Sequence, residues 1–304
     1  MKPGRRFEAW LREIMLAPRL RARYGSRFPD QVVLPESGIA LSINPRERRA
    51  RKQILFDSLR GRVHRNAQFW RESLAVLKPD VCIDVGANYG ECSLGARYPE
   101  GVEVLAAEAN PTLIDYLEKS RAAHPNREQI EIVHTLVGEA DGPARPFYLN
   151  TVSSGRSTAV AEVARDGTFG EAIEVPVRAL DSLLCERDCT PERLLFKIDV
   201  EGFEPAVLAG MQGTLAGVDS ALGYVELDTR FIAQAGFSLP YYDSLLTGLS
   251  VYVVDQGKAM RMRRIESLER LARDRGETLH TDIVLAKNIA AFPEGWEMVG
   301  LESE

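Results

Sequence analysis

Four carboxylates fall where apolar, β-favouring runs stop. Asp84 closes Val81-Cys-Ile-Asp-Val, and Glu108 closes Val102-Glu-Val-Leu-Ala-Ala-Glu. Asp199 sits in Leu194-Leu-Phe-Lys-Ile-Asp-Val-Glu-Gly, and Glu226 in Ala221-Leu-Gly-Tyr-Val-Glu-Leu-Asp. In an open parallel sheet, ligands bind beyond the carboxyl ends of the strands, so these acids would share one rim. An acidic rim suits a ligand with a positive end, or a divalent metal with hydroxyl ligands. A carboxylate there can also take the proton of a hydroxyl nucleophile.

The first strand runs into Gly86-Ala-Asn-Tyr-Gly90. Glycine lets the backbone turn tightly and lets a ligand approach closely. A dinucleotide turn has the form G-x-G-x-x-G; here Asn88 stands where the second glycine would be, and Asp84 would repel a pyrophosphate. Both departures disfavour a nicotinamide dinucleotide. They favour S-adenosylmethionine, whose α-amino group Asp84 would meet and whose ribose diol Glu108 would accept. Asn110-Pro111 then opens a helix as N-cap and first residue.

These runs carry a resemblance. Asp84-Val-Gly-Ala-Asn-Tyr-Gly-Glu91, Glu108-Ala-Asn-Pro111, Leu180-Asp-Ser-Leu183 and Lys197-Ile-Asp-Val-Glu-Gly-Phe-Glu-Pro205 resemble the FkbM family of S-adenosylmethionine-dependent methyltransferases, over roughly residues 75–290. The Lys197–Pro205 run is its most specific piece. The resemblance implies a class I methyltransferase fold: a Rossmann-like, mostly parallel sheet with helices on both faces. It implies O-methyl transfer to a hydroxyl group of a sugar, glycolipid or polyketide-like product. Carried over by motif, Asp84, Gly86, Asn88 and Gly90 would cradle the methionine part and Glu108 the ribose, with Asn110 beside it.

For catalysis, Asp199 is the expected general base, with Glu201 and Glu226 as the alternatives. Lys197, on the same strand face by alternation, would hold Asp199 ionised or orient the acceptor. Glu204 opens the next helix and reads as structural. A metal-free mechanism is expected; if Mg²⁺ were used, Asp199, Glu226 and Asp228 would be its ligands. The four histidines, His64, His124, His134 and His280, are dispersed, so none is placed at this edge. A non-catalytic module of the same fold, holding a nucleoside ligand or a partner, is the reading from another class.

The elements that must position these residues alternate strand and helix from residue 81 onward. Strands are expected at 81–85, up to Glu108, at 130–137, at 194–202 and at 221–228. Short strands fall at 147–149 and 173–178, and a closing pair at 251–255 and 282–286. Helices are expected near 91–97, at 111–124, 205–215 and 239–249. Residues 150–170, rich in Ser, Thr, Gly and Ala, read as a mobile loop able to close over a ligand.

The chain divides into a helical and extended leader, 1–75, and the catalytic domain, 76–304. The leader has 17 Lys/Arg against 7 Asp/Glu; the remainder has 21 against 37. The basic leader, with helices expected at 5–24, 46–59 and 66–77, would dock on the acidic domain or a second copy. The acidic body argues against a nucleic-acid partner. The apolar face of 5–24 (Phe7, Trp10, Leu11, Ile14, Met15) is short for a membrane-surface helix. No apolar run reaches the ~18 residues of a span, and no secretory signal is evident; the expected location is cytoplasmic. Cys82, Cys92, Cys185 and Cys189 read as reduced structural thiols.

Overall fold

The computed structural model describes residues 15–26, 28–255, 260–276 and 278–299. Phe7, Trp10, Leu11 and Ile14 of the expected first helix lie outside the described residues. Its described part is helical over 15–24, with Leu16 and Leu20 buried and Met15 exposed.

The strands, in chain order, are β1 (Gln31–Val33), β2 (Ala40–Ser42), β3 (Val81–Val85), β4 (Glu103–Glu108), β5 (Ile130–His134), β6 (Leu136–Val137) and β7 (Gly142–Asn150). They continue as β8 (Phe169–Arg178), β9 (Arg193–Ile198), β10 (Ser220–Asp228), β11 (Ser250–Val254), β12 (Met260–Ile265), β13 (His280–Lys287) and β14 (Trp296–Val299). Nine of them form the main sheet, in the order β14-β12-β11-β13-β10-β9-β3-β4-β5. β5, β4, β3, β9 and β10 are mutually parallel. β13 runs antiparallel between β10 and β11. This is the expected class I arrangement, extended at one edge by β12 and β14.

Alternation along each strand splits the core into two layers. Cys82, Val104, Leu195, Leu222 and Tyr224 face one layer, with Leu113 and Leu117 of helix Pro111–Ala122 and Phe69 and Trp70 of helix Arg65–Leu77. Ile83, Leu105, Phe196, Ile198 and Val225 face the other, against Leu180, Leu184, Val207, Leu208, Leu215, Tyr242 and Leu271. Helices therefore cover both faces. The segment before β3 belongs to the first layer: Val32, Leu41, Ile43, Ile54 and Leu55 pack in it. Among the described residues, no packing boundary separates this segment from the rest. Basic side chains of this segment also dock on the body, where Arg49 pairs with Glu91 at 3.3 Å and Arg65 donates to the Asp255 carbonyl at 2.7 Å.

Several expectations are corrected. Residues 91–97 form turns, not a helix. The Ser93 amide, which a helix would spend on a carbonyl four residues back, donates instead to Asp84 Oδ2 at 3.2 Å. The expected strand 130–137 breaks at Thr135, whose hydroxyl donates to the Pro176 carbonyl at 2.9 Å, and β6 leaves to join a small β6-β8-β7 sheet. The expected helix 205–215 is two helices, Glu204–Ala209 and Gln212–Gly217. A Cβ at Gly210, between them, would lie 2.0 Å from the Gly138 carbonyl oxygen, so the chain needs glycine at this close approach. Asp181 clamps the second helix by accepting from the Gly213 and Thr214 amides, both at 2.8 Å.

The loop between β7 and β8 is tethered rather than loose. Tyr148 and Thr158 exchange backbone hydrogen bonds, and Thr158 Oγ1 donates to the Glu201 carbonyl at 2.9 Å. Ser154 N donates to Glu47 Oε1 at 3.1 Å. The loop is thereby held over the carboxyl edge of the sheet.

Candidate active site

Parallel pairing of β3 with β9 sets Asp84 opposite Lys197. Both are buried, and Lys197 Nζ lies 3.4 Å from Asp84 Oδ1 and 3.7 Å from Asp199 Oδ2. The ammonium also donates to the carbonyls of Gly86, at 2.7 Å, and Val85, at 3.2 Å. Burial alone would lower the Lys197 pKa, but the charges of Asp84 and Asp199 outweigh it and hold the group raised and cationic. Asp84 Oδ2 accepts from Ser93 Oγ at 2.7 Å. Asp84 is thus committed beneath the turn, and it lines neither of the cavities at this edge. Its charge faces Lys197.

The turn itself is built as expected. Gly86, Asn88 and Gly90 all have left-handed backbones, at φ 74°, 54° and 81°. A Cβ on Gly86 would stand 2.1 Å from the Asp199 carbonyl oxygen, so glycine lets the end of β9 close on the turn. Glu108, buried at the end of β4, accepts from the Asn88 amide at 2.7 Å and the Asn110 amide at 2.8 Å. Burial raises its pKa, with those two amides acting against the shift. Asn110 is the N-cap expected of it. Its side chain caps helix Pro111–Ala122, accepting from Thr112 N at 3.0 Å, and only its amide serves the site, by bracing Glu108.

Gly86, Asn88, Glu108, Asp199 and Glu201 line one small cavity, about 30 Å³, roofed by Ser154, Gly155 and Arg49. Ser154 Oγ donates to Asn88 Oδ1 at 3.3 Å across it. Beside it opens a larger cavity of about 560 Å³, which also contains Arg49, Gly155, Asp199 and Glu201 in its wall. The two spaces meet at these residues, so a ligand in the first would adjoin one in the second.

On the floor of the larger cavity, Asp199, Glu201 and Glu226 bring carboxylate oxygens within 4.8 Å of one another. Burial would raise the Asp199 pKa, but Lys197 and Arg49, with a hydrogen bond from Glu226, hold it lowered. Glu226 is pushed well up by burial and by Asp199 beside it. Glu201, in a left-handed backbone at φ 54°, is pushed up to about 8 by burial and by Asp199. Of the three, Asp199 is therefore the carboxylate that ionises first. Glu204 turns back to accept from the Val200 amide at 3.0 Å and the Gly202 amide, a structural role as expected.

The ligand set expected for a metal is corrected. Asp228 caps helix Thr229–Gln234 and pairs with Arg230 at 2.7 Å and His280 at 3.1 Å. Glu201 stands where Asp228 was expected. His280 does reach this edge, because antiparallel pairing of β13 with β10 puts it opposite Asp228. Arg49, from the segment before β3, was not singled out from the sequence, since nothing local marks one arginine among many. Its charge faces Glu91, Asp199, Glu201 and Glu47, and these hold its pKa raised although burial alone would lower it.

The raised Glu201 pKa sets a pH dependence of stability. Its free value is 4.5 and its folded value about 8, so the folded protein binds the extra proton between them. The stability this contributes is complete below the free value and is lost as pH rises through about 8. Glu201→Gln, which keeps the neutral form, should therefore melt higher than the wild type at alkaline pH, by roughly 2–4 °C for each kcal/mol recovered. The difference should vanish in acid. Equal melting curves in alkaline buffer would contradict the assignment.

A family model described as the methyltransferase FkbM domain matches residues 84–248. No curated protein matches the chain. Solved structures similar to it include methyltransferase FkbM from Methylobacillus flagellatus KT, at 14% identity and TM-score 0.39, covering 67% of this chain and 42% of that one. Another is the O-methyltransferase from Bacillus cereus in complex with SAH, at 9% identity and TM-score 0.40, covering 72% and 79%. A third is the O-methyltransferase TomG from Streptomyces achromogenes in complex with SAM, at 8% identity and TM-score 0.40, covering 73% and 78%. The chain spans less than half the length of the first of these. The matched segment begins at Asp84, takes in the glycine turn, Glu108 and the Lys197–Pro205 run, and amounts to more than half of the chain; this protein belongs to the FkbM methyltransferase family.

Proposed function

We propose that the protein is an S-adenosylmethionine-dependent O-methyltransferase acting on a hydroxyl group of a small molecule or glycan. The observation that carries this reading is that Gly86, Asn88, Glu108 and Asp199 line a single cavity at the carboxyl edge of the sheet. The donor set fits the cofactor. Glu108 is a buried carboxylate fixed by two amides, leaving oxygen lone pairs for a ribose diol.

S-adenosylmethionine, when bound, supplies an electrophilic methyl group on a sulfonium. The chain's own residues do the rest. Asp199 accepts the proton of the acceptor hydroxyl at its carboxylate. Lys197 and Arg49 keep that carboxylate ionised in a poorly hydrated site, and protonated Glu226 orients it by a hydrogen bond. Asp84 positions Lys197 from below. The loop residues 153–157 and the segment 47–49 exclude water from the small cavity. At about 30 Å³ it is far smaller than the ~300–1,000 Å³ usual for ligand clefts, so cofactor entry parts Ser154 from Glu47 and Asn88.

Metal-free catalysis is the reading we carry, because Lys197 and Arg49 already face Asp199 and would repel a dication. If Mg²⁺ were used, Asp199, Glu201 and Glu226 would hold it. Release of S-adenosylhomocysteine, followed with a panel of hydroxylated acceptors in the presence of EDTA, tests both points. Turnover that survives EDTA is expected. Turnover abolished by EDTA and restored by Mg²⁺ would move the mechanism to the metal, and S-adenosylmethionine binding without turnover of any acceptor would favour a binding module.

A further inference from the structure

The roof of the small cavity is also a wall of the larger one. Arg49, from the segment before β3, and Gly155, from the β7–β8 loop, line both. The roof is thus made of two pieces of chain, and Glu47 joins them. Its half-buried carboxylate accepts three amides: Arg49 N at 2.9 Å and Ala50 N at 2.8 Å from its own segment, and Ser154 N at 3.1 Å from the loop, 107 residues later. Gly155 lies so close to Arg49 that a Cβ there would stand 2.4 Å from a guanidinium nitrogen and 2.8 Å from Cδ. Below, the loop meets the glycine turn through the Ser154–Asn88 hydrogen bond at 3.3 Å. The loop is anchored on either side of this tip. Asn150 Oδ1 accepts from the Val152 and Ser153 amides, both at 3.0 Å, and the Asn150 amide donates to Ser157 Oγ at 3.1 Å. Thr158 exchanges backbone bonds with Tyr148 and donates to the Glu201 carbonyl. Between these anchors, 153–157 forms one short flap.

We infer that residues 47–49 and 153–157 form a two-piece lid over the cofactor, that Glu47 is its latch, and that breaking the Glu47–Ser154 contact sets the rate at which cofactor and product exchange. This rests on the proposed function and adds to it the step that admits the cofactor. A ligand whose entry waits on a change of conformation associates slowly, and release of product through a lid can limit turnover. Hydrogen bonds to a carboxylate are stronger than those between neutral groups. The Glu47–Ser154 bond, rather than the neutral Ser154–Asn88 bond, therefore carries most of the barrier. Because Arg49 and Gly155 wall both cavities, the acceptor space is complete only when the lid is down. Glu47 and Arg49 precede the matched residues 84–248, so the latch comes from outside the matched domain.

The test is stopped-flow exchange of S-adenosylhomocysteine on the full chain, with association and dissociation rates measured separately. Glu47→Ala removes the latch. Gly155→Ala keeps the latch and instead sets a methyl group against Arg49, at a position with no left-handed backbone to strain. Association and dissociation should each be faster in Glu47→Ala, by roughly tenfold or more, the scale of one charge-assisted hydrogen bond. Gly155→Ala should shift both rates in the same direction. Affinity should change less than the dissociation rate, because a gate speeds passage both ways. If Glu47→Ala fails to fold for want of the two amides it holds at the start of helix Ala50–Leu55, Gly155→Ala decides alone. Wild-type rates in both variants, or faster dissociation with unchanged association, would overturn the inference and leave the methyltransferase reading standing. Failure of the wild type to bind S-adenosylhomocysteine at all would instead remove the reading beneath it.

Discussion

Asp199→Asn is expected to lower turnover by roughly 10²–10⁴-fold while changing S-adenosylhomocysteine affinity little. The substitution keeps the size of the side chain and can still accept a hydrogen bond, but it cannot take a proton. Asp199 is the one member of the carboxylate trio held ionised near neutrality, since Lys197 and Arg49 offset its burial. Burial and the neighbouring Asp199 push Glu226 well up and Glu201 up to about 8, so both hold their protons more tightly than Asp199 does. Single-turnover rates with saturating cofactor separate this loss from slow product release. Near-wild-type turnover in Asp199→Asn would remove the general base and leave positioning as the source of the rate. Recovery of activity as pH rises past about 8 would instead point to Glu201.

Lys197→Met is the second large effect, and it acts on the fold as well as on the site. Its ammonium is buried, with Asp84 and Asp199 on either side and two carbonyls of the glycine turn as acceptors. Removing it leaves Asp84, 1% exposed, as a buried carboxylate with no cation. Breaking a buried pair from one side costs about 3–5 kcal/mol, or roughly 10 °C in melting temperature for a chain of this size. The double variant Asp84→Asn, Lys197→Met removes both charges and should recover most of that stability, because Asn can still accept from Ser93. It should not recover turnover, since Asp199 has lost one of the two cations that hold it ionised. A double variant no more stable than Lys197→Met would show that the ion pair is not the source of the loss.

Much of this was legible in the sequence because it depends on local order. The strand ends at Asp84, Glu108 and Asp199 are marked by apolar runs that stop at an acid, and the left-handed turn by two glycines and an asparagine. What stayed hidden depends on pairing between distant segments. His280 reaches the site only through the antiparallel register of β13 on β10. Arg49 reaches it because the segment before β3 packs into the same apolar layer as the sheet. The sequence marks Asp84 at its strand end but not its neighbour across the β3–β9 pairing, Lys197. β12 was missed because Met260-Arg-Met-Arg-Arg-Ile reads as charged; in the sheet it lies between β11 and β14, with Met262 buried and the arginines exposed or half-buried. The 150–170 segment reads as loose from composition alone. The contacts that tether it come from Glu47, 107 residues before Ser154, and from Glu201, 43 residues after Thr158.

The most direct measurement is calorimetric titration of the wild-type protein and Glu108→Ala with S-adenosylhomocysteine, and of the wild type with NAD. One molecule of S-adenosylhomocysteine should bind per wild-type chain, Glu108→Ala should bind it more weakly by about 1–3 kcal/mol, and NAD should not bind. Equal affinity in the two proteins, or binding of NAD in place of S-adenosylhomocysteine, would contradict a cofactor site at the glycine turn and Glu108.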